Sequence, residues 1–141
     1  MRSSSRHLWY ALLLTLLAAA LGARFLTTTP GASTPTGVWV QTLGDDGHFL
    51  AELRLEPTGD HYTATPLAMS EDAYPRRPYR SFNHHFSAAS WTFQEDWGDE
   101  VGRFELKCVA PGRYEGLLFY SGAPEGTPTA FERRSAAADG R

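Results

Sequence analysis

Cysteine and lysine are almost absent from this 141-residue sequence, where each occurs once, as Cys108 and Lys107. A single cysteine forms no internal disulfide, no Cys-x-x-Cys zinc or redox pair and no haem attachment motif. Because Phe104, Leu106 and Cys108 alternate with polar residues in FELKCV, we expect Cys108 to be a small buried apolar side chain on a strand. The sequence also has no Gly-x-Ser-x-Gly motif and no glycine-rich loop opening a helix, so it carries no hydrolase or phosphate-binding signature.

Positive charge is scarce outside the N-terminal region. The formal charge is −3, and without Arg2, Arg6 and Arg24 the remainder has ten basic and sixteen acidic residues, a charge of −6. An acidic domain is poorly suited to contact a phosphate backbone, so we expect no nucleic-acid partner. Hydrophobic residues make up 42% of the chain, which is enough for a packed core.

The first 26 residues are predicted to be a membrane anchor or an export signal. A basic start precedes an apolar run of sixteen residues from Leu8 to Ala23, the pattern of a signal peptide. That run spans roughly 24 Å as a helix, short of the bilayer core of about 30 Å, although two further apolar residues extend it. A cleaved signal and an uncleaved span that contacts membrane lipid through residues 8–26 both remain open. In either case the positive-inside rule puts the rest of the chain on the periplasmic side of a bacterial inner membrane.

The remainder divides into a polar linker (27–36), a β domain (37–134) and a short tail (135–141). Within the β domain, short runs of alternating apolar and polar residues are separated by turn signals, as in HFLAELRLE at 48–56. There the residues expected to point inward are Phe49, Ala51, Leu53 and Leu55. The pattern predicts an all-β fold, an antiparallel up-and-down meander of seven or eight strands closing as a small barrel or sandwich, preceded by one N-terminal transmembrane or signal helix.

The two ends of the β domain resemble those of lipocalin-like (calycin) barrels. Gly37-Val38-Trp39 opens the first strand, and the last strand, AFERR, ends in Arg133 and Arg134. The resemblance implies that Trp39 and one of the two arginines, with Arg133 as our choice, are structural, the cation stacking on the indole to close one end of the barrel. It leaves ligand binding open.

Two adjacent histidines in YRSFNHHF (79–86) are the most obvious potential metal ligands. Neighbouring strand residues point to opposite faces, so His84 and His85 share no metal ion without a bulge, and zinc requires three or four ligands. We therefore expect no metal and no cofactor. As a strand, the segment would place Phe82, His84 and Phe86 on one face, with His84 inward and His85 nearer solvent.

Four carboxylates crowd the next hairpin tip, at Glu95, Asp96, Asp99 and Glu100. Acidic residues at a turn are usually solvated or hydrogen-bonded to the turn. A general acid needs burial to raise its pKa, and nothing at this turn suggests burial. We therefore expect no catalytic residue and no enzymatic activity.

The segment from Asp72 to Asn83, DAYPRRPYRSFN, is predicted to bind protein partners. Its prolines stiffen it, and tyrosine and arginine are enriched at interface hot spots. Trp97 is a second candidate, its ring either folded back on the sheet or buried in a partner. A solvated loop over the barrel end is the alternative. The candidate partner-binding residues are Tyr74, Arg76, Arg77, Tyr79, Arg80 and Trp97.

Three functions follow from these patterns. The first is a non-enzymatic, membrane-anchored accessory subunit whose periplasmic β domain contacts other subunits of a larger membrane complex, such as a respiratory or photosynthetic one. The alternative is a secreted lipocalin-like binder of a small apolar ligand. Its expected cavity is lined by Trp39, Phe49, Leu53, Trp91, Phe93 and Phe104. The third is an exported enzyme or metal protein that uses His84 or His85.

Overall fold

The computed structural model describes residues 34–73 and 75–135. The predicted anchor or signal, most of the linker, Tyr74 and most of the tail lie outside these residues, so the predictions made for them stay predictions. Within the described part of the chain, no helix combines the length and the apolar character needed to cross a bilayer.

Eight antiparallel strands form a closed barrel in which each strand pairs with its neighbours in sequence and the last pairs with the first. The predicted up-and-down meander is thus confirmed, with eight strands, as a barrel and not a sandwich. The strands are β1 (Gly37–Leu43), β2 (His48–Thr58), β3 (His61–Met69), β4 (Tyr79–Phe86), β5 (Ser90–Asp96), β6 (Val101–Ala110), β7 (Arg113–Phe119) and β8 (Thr127–Arg133).

Alternation along β2 puts Ala51, Leu53 and Leu55 inside the barrel, as predicted. Phe49 was expected to join them, but it is 43% exposed. The reason is a β-bulge between β1 and β2. Gln41 pairs with Ala51 but Thr42 pairs with Phe49, so one extra residue on β2 turns Phe49 to the outer face.

A second bulge corrects the prediction for β4. Asn83 has a φ of 53°, in the left-handed region that asparagine tolerates better than most residues, and the β4–β5 register shifts there. Ser81 is therefore buried inside the barrel, and Phe82 lies outside it under the guanidinium of Arg80, at 4.6 Å. Beyond the bulge, His84 points inward as expected and His85 is exposed.

Large aromatic side chains fill the middle of the barrel. Trp39 and Trp91 have centroids 4.8 Å apart, Trp91 and Phe93 4.5 Å, and Phe93 and Phe104 4.5 Å. Since an eight-stranded barrel encloses little more than its own side chains, these rings occupy the interior themselves. The cavity that the sequence predicted among them is accordingly absent from this part of the described structure.

One end of the barrel, here called the closed end, is sealed by Trp39. Its indole Nε1 donates a hydrogen bond of 2.8 Å to the carbonyl of Pro35. The guanidinium of Arg133 lies 4.5 Å over the indole ring and donates a bond of 2.9 Å to the carbonyl of Thr34. Arg134, the other arginine, instead forms an exposed ion pair with Glu52 at 2.6 Å.

Candidate functional site

The opposite end of the barrel, here called the cavity end, holds an opening between the strands. Turns 44–47 and 97–100 and loops 70–78 and 120–126 lie at this end. Ala73 and Pro75 are buried, so loop 70–78 is anchored against the barrel. The cavity has a volume of about 190 Å³. Its apolar lining comprises Leu43, Leu50, Ala51, Met69, Ala73 and Leu118, and its polar lining Gln41, Asp72, Tyr79, Glu95, Trp97, Glu100 and Tyr120.

Glu95 is the central residue of this site. It continues the inward face that Trp91 and Phe93 begin on β5, and it is only 1% exposed. Trp97 Nε1 donates a hydrogen bond of 3.0 Å to its Oε2, while no hydrogen bond reaches the buried Oε1. A buried carboxyl oxygen without a partner is costly and rare in proteins, and this one lies on the wall of a cavity.

The surroundings of Glu95 favour its neutral form. Burial raises the pKa of Glu95 to about 7, although the hydrogen bond from Trp97 and the nearby hydroxyl of Tyr79 act in the opposite direction. Burial, followed by the charge of Glu95, raises the pKa of Tyr79 well above its ordinary value. No lysine, arginine or histidine is among the described residues that line the cavity. Glu95 therefore changes its charge near neutral pH.

The sequence allowed the Trp97 ring to fold back on the sheet or to be buried in a partner. In the structure the ring is folded back on the sheet. Its ring is 9% exposed and lies over Gly102 of β6. A Cβ at Gly102 would lie 2.8 Å from Cζ2 of the indole, so the missing side chain provides the space for this ring. A largely buried ring offers little surface to a protein partner.

His84 is a core residue. Its Nδ1 accepts a hydrogen bond of 3.0 Å from Trp91 Nε1, its Nε2 lies 2.8 Å from Ser81 Oγ, and its ring stacks on Phe93 at 4.9 Å. Burial lowers the pKa of His84 to about 4. No group of three or more potential metal ligands occurs among the described residues.

The structure divides the predicted partner-binding surface. Tyr79 and Trp97 line the cavity, whereas Arg76, Arg77 and Arg80 are exposed. Arg76 donates a bond of 3.0 Å to the carbonyl of Glu71. Tyr74 lies outside the described residues. The five described residues of the predicted set therefore do not form one surface.

Sequence reasoning missed Glu95, because a carboxylate beside a turn was expected to be solvated. That expectation was wrong. The signal was present in the alternation of SWTFQEDW, in which Trp91, Phe93, Glu95 and Trp97 share one face. An acidic residue in phase with three aromatic residues indicates a buried carboxyl group.

Comparison with known proteins supports the barrel fold and identifies no family. No protein-family model and no curated protein matches this chain. A solved structure of a redesigned β barrel is similar to it, with a TM-score of 0.51 and 14% sequence identity, over 77% of this chain and 98% of that one. At this identity the likeness shows the fold alone. The class that the strands and this comparison define is the closed, eight-stranded antiparallel β barrel.

Proposed function

We propose that this barrel binds a small molecule in the cavity around Glu95, as a lipocalin-like (calycin) protein exported from the cytoplasm. The observation that carries the proposal is the unpartnered Oε1 of Glu95, buried on the wall of a cavity with otherwise largely apolar lining. Ligand sites typically combine apolar walls with a few polar groups that fix orientation. The calycin assignment is supported by Arg133, whose guanidinium stacks on Trp39 at the closed end.

The cavity volume limits the size of the ligand. An engineered protein cavity of about 150 Å³ accommodates benzene. The cavity of about 190 Å³ therefore fits one six-membered ring with a short polar arm. The ligand is confined to the cavity end, because the aromatic core fills the rest of the barrel interior.

Ligand binding is tested by blocking the cavity. Ala51 lines it and is 3% exposed, so Ala51→Leu would fill part of the space. Ala130→Leu adds the same atoms to the outer side of β8 and is the matched control. Fragments are screened by NMR against the protein as isolated, with the indole Nε1–H of Trp97 as reporter. Binding that is lost in Ala51→Leu and kept in Ala130→Leu supports the function, whereas no fragment binding to the wild type contradicts it.

A second candidate is the accessory role. We propose it on the exposure of Arg76 and Arg77 in the anchored loop and of Arg80 at the start of β4, which together give a positively charged surface. In this case residues 8–26 would hold the domain at the periplasmic side of a bacterial inner membrane, and the arginines would contact an acidic surface of a larger membrane complex, such as a respiratory or photosynthetic one.

The accessory role is tested by co-purification from native membranes. Intact mass shows whether residues 1–26 are retained and which subunits accompany the protein. A stoichiometric partner should be lost when the three arginines are replaced by alanine. It should be kept in Arg54→Ala, which removes an exposed arginine from β2. A monomer without partners would exclude this role.

A further inference from the structure

The charged groups around the cavity are all acidic in the described structure. Glu95 lies on its wall, and Asp72 from loop 70–78 and Glu100 from turn 97–100 complete the set. The other titratable groups that line it are the hydroxyls of Tyr79 on β4 and Tyr120 after β7. These three acidic side chains repel a carboxylate or phosphate ligand and attract a cation.

The hydrogen-bonding groups select the same kind of ligand. The indole N–H of Trp97 is already used by Oε2 of Glu95, and no hydrogen bond reaches Oε1, although the hydroxyl of Tyr79 lies near the carboxyl group. When Glu95 is ionised, a ligand that completes the site must therefore bring an N–H or O–H donor. An ammonium group has three donors and no acceptor, and a bond between charged groups is about twice as strong as one between neutral groups.

We propose that the ligand is a small primary amine, with an apolar body of about one ring, whose ammonium group donates to Oε1 of Glu95. This inference rests on the proposed ligand-binding function. The ammonium favours the ionised carboxylate, so binding below neutral pH releases the proton of Glu95 to solvent. The apolar body contacts Leu43, Met69 and Leu118.

Two groups close to Glu95 do not disturb this pairing. Ser81, its cross-strand partner, is hydrogen-bonded to His84, which burial keeps neutral above about pH 4. Arg77 is exposed, and its guanidinium lies beside Gly98 of turn 97–100. The carboxyl group therefore has no cationic partner among the described residues and is available to a cationic ligand.

The test compares benzylamine with benzyl alcohol, which have the same shape. Calorimetry at pH 8 on the protein as isolated should show that benzylamine binds roughly ten times more tightly, the effect of a charge-assisted hydrogen bond. Glu95→Gln keeps an acceptor for Trp97 and should abolish this preference. Glu56→Gln, on the exposed outer side of β2, removes the same charge and should retain it.

A pH profile of the wild type tests the inference without any mutation. Because the pKa of Glu95 is about 7 in the free protein, the affinity for benzylamine should fall about tenfold between pH 8 and pH 6. The affinity for benzyl alcohol should change much less over this range, because its neutral hydroxyl can donate to the carboxylate and accept from the protonated carboxyl group.

The outcomes separate the amine inference from the proposed function. Equal binding of both compounds, or tighter binding of benzoate, with binding still blocked by Ala51→Leu, would overturn the amine and leave the ligand-binding function standing. An absence of binding by all three compounds would overturn the amine inference, and only a fragment screen in which nothing binds the wild type would overturn the function as well. A pH-independent affinity for benzylamine would also contradict the pairing with Glu95.

Discussion

The indole Nε1 of Trp97 donates a hydrogen bond of 3.0 Å to Oε2 of Glu95, two residues earlier in the chain. A strand residue and the first residue of the following turn thus meet inside the barrel. The bond satisfies one carboxyl oxygen and leaves the other, Oε1, buried without a hydrogen bond in a residue that lines the cavity. The hydroxyl of Tyr79 lies near the same carboxyl group and, like the indole, favours its ionised form.

Removing this donor should change the ionisation of Glu95. Trp97→Phe keeps an aromatic ring but deletes the N–H group that stabilises the carboxylate. The pKa of Glu95 should therefore rise above its value of about 7, because the effect of burial is then opposed by one hydrogen bond fewer. The measurement is the ¹³C chemical shift of the Glu95 carboxyl against pH. Tyr114→Phe, which removes a donor to the Ser87 carbonyl far from the cavity, should leave that pKa unchanged. An unaltered pKa in Trp97→Phe would refute the assigned role of the indole.

Glu95 and His84 should have opposite effects on stability between about pH 4.5 and 6.5. The folded pKa of Glu95, about 7, exceeds its unfolded value, so its contribution to the free energy of unfolding falls as pH rises, by roughly 3 kcal/mol in all. The folded pKa of His84, about 4, is below its unfolded value, so its contribution rises with pH by roughly the same amount. The two contributions offset each other in the wild type.

Glu95→Gln should remove the contribution of Glu95 to the pH dependence of stability and leave that of His84. Urea unfolding, followed by tryptophan fluorescence, should show that the variant gains stability from pH 4.5 to 7 and exceeds the wild type at pH 8. Glu56→Gln should follow the wild-type profile, because Glu56 is exposed. If Glu95→Gln and the wild type have the same pH dependence, the burial of an ionisable Glu95 is wrong.

The closed end should depend on one arginine and not on its neighbour. Arg133→Ala removes the cation over Trp39 and the bond to Thr34, and we expect a loss of about 2 kcal/mol in the free energy of unfolding. Arg134→Ala breaks only an exposed ion pair with Glu52 and should cost less than about 1 kcal/mol. Chemical denaturation of both variants measures the difference. Equal losses would contradict a special role for Arg133.

Gly102 should be required for the position of Trp97. In Gly102→Ala the new methyl group would displace the indole, and we expect a loss of roughly 1–3 kcal/mol together with a shift of the Trp97 Nε1–H resonance. In a Trp97→Leu background the same substitution should cost much less, because the ring it displaces is gone. An additive effect of the two substitutions would show that the contact is unimportant.

Local sequence was sufficient for the strands but not for the closure of the barrel. Alternation between turn signals predicted a strand segment at 48–56, and the observed β2 starts at the same residue, His48, and ends at Thr58. A barrel differs from a sandwich by the pairing of β1 with β8, in which Trp39 lies opposite Arg133. That pairing joins residues far apart in sequence, and only the resemblance to calycin barrels pointed to it.

Register and burial account for the errors. Phe49 and Phe82 face outward because bulges shift the alternation, and a bulge depends on how a strand meets its partner. Glu95 was placed in solvent on residue type, although its phase with Trp91 and Phe93 indicated the interior. The tertiary position of a polar side chain depends on which partner it meets, here Trp97, and that was not evident from the turn.

The most direct test of the account is the titration of Glu95 by ¹³C NMR, in the free protein and with benzylamine at saturation. We predict a pKa near 7 in the free protein and a clear decrease when the amine is bound, because the ammonium stabilises the carboxylate. A pKa near the ordinary value of about 4.5 in the free protein, unchanged by benzylamine, would contradict both the buried carboxyl group and its ligand.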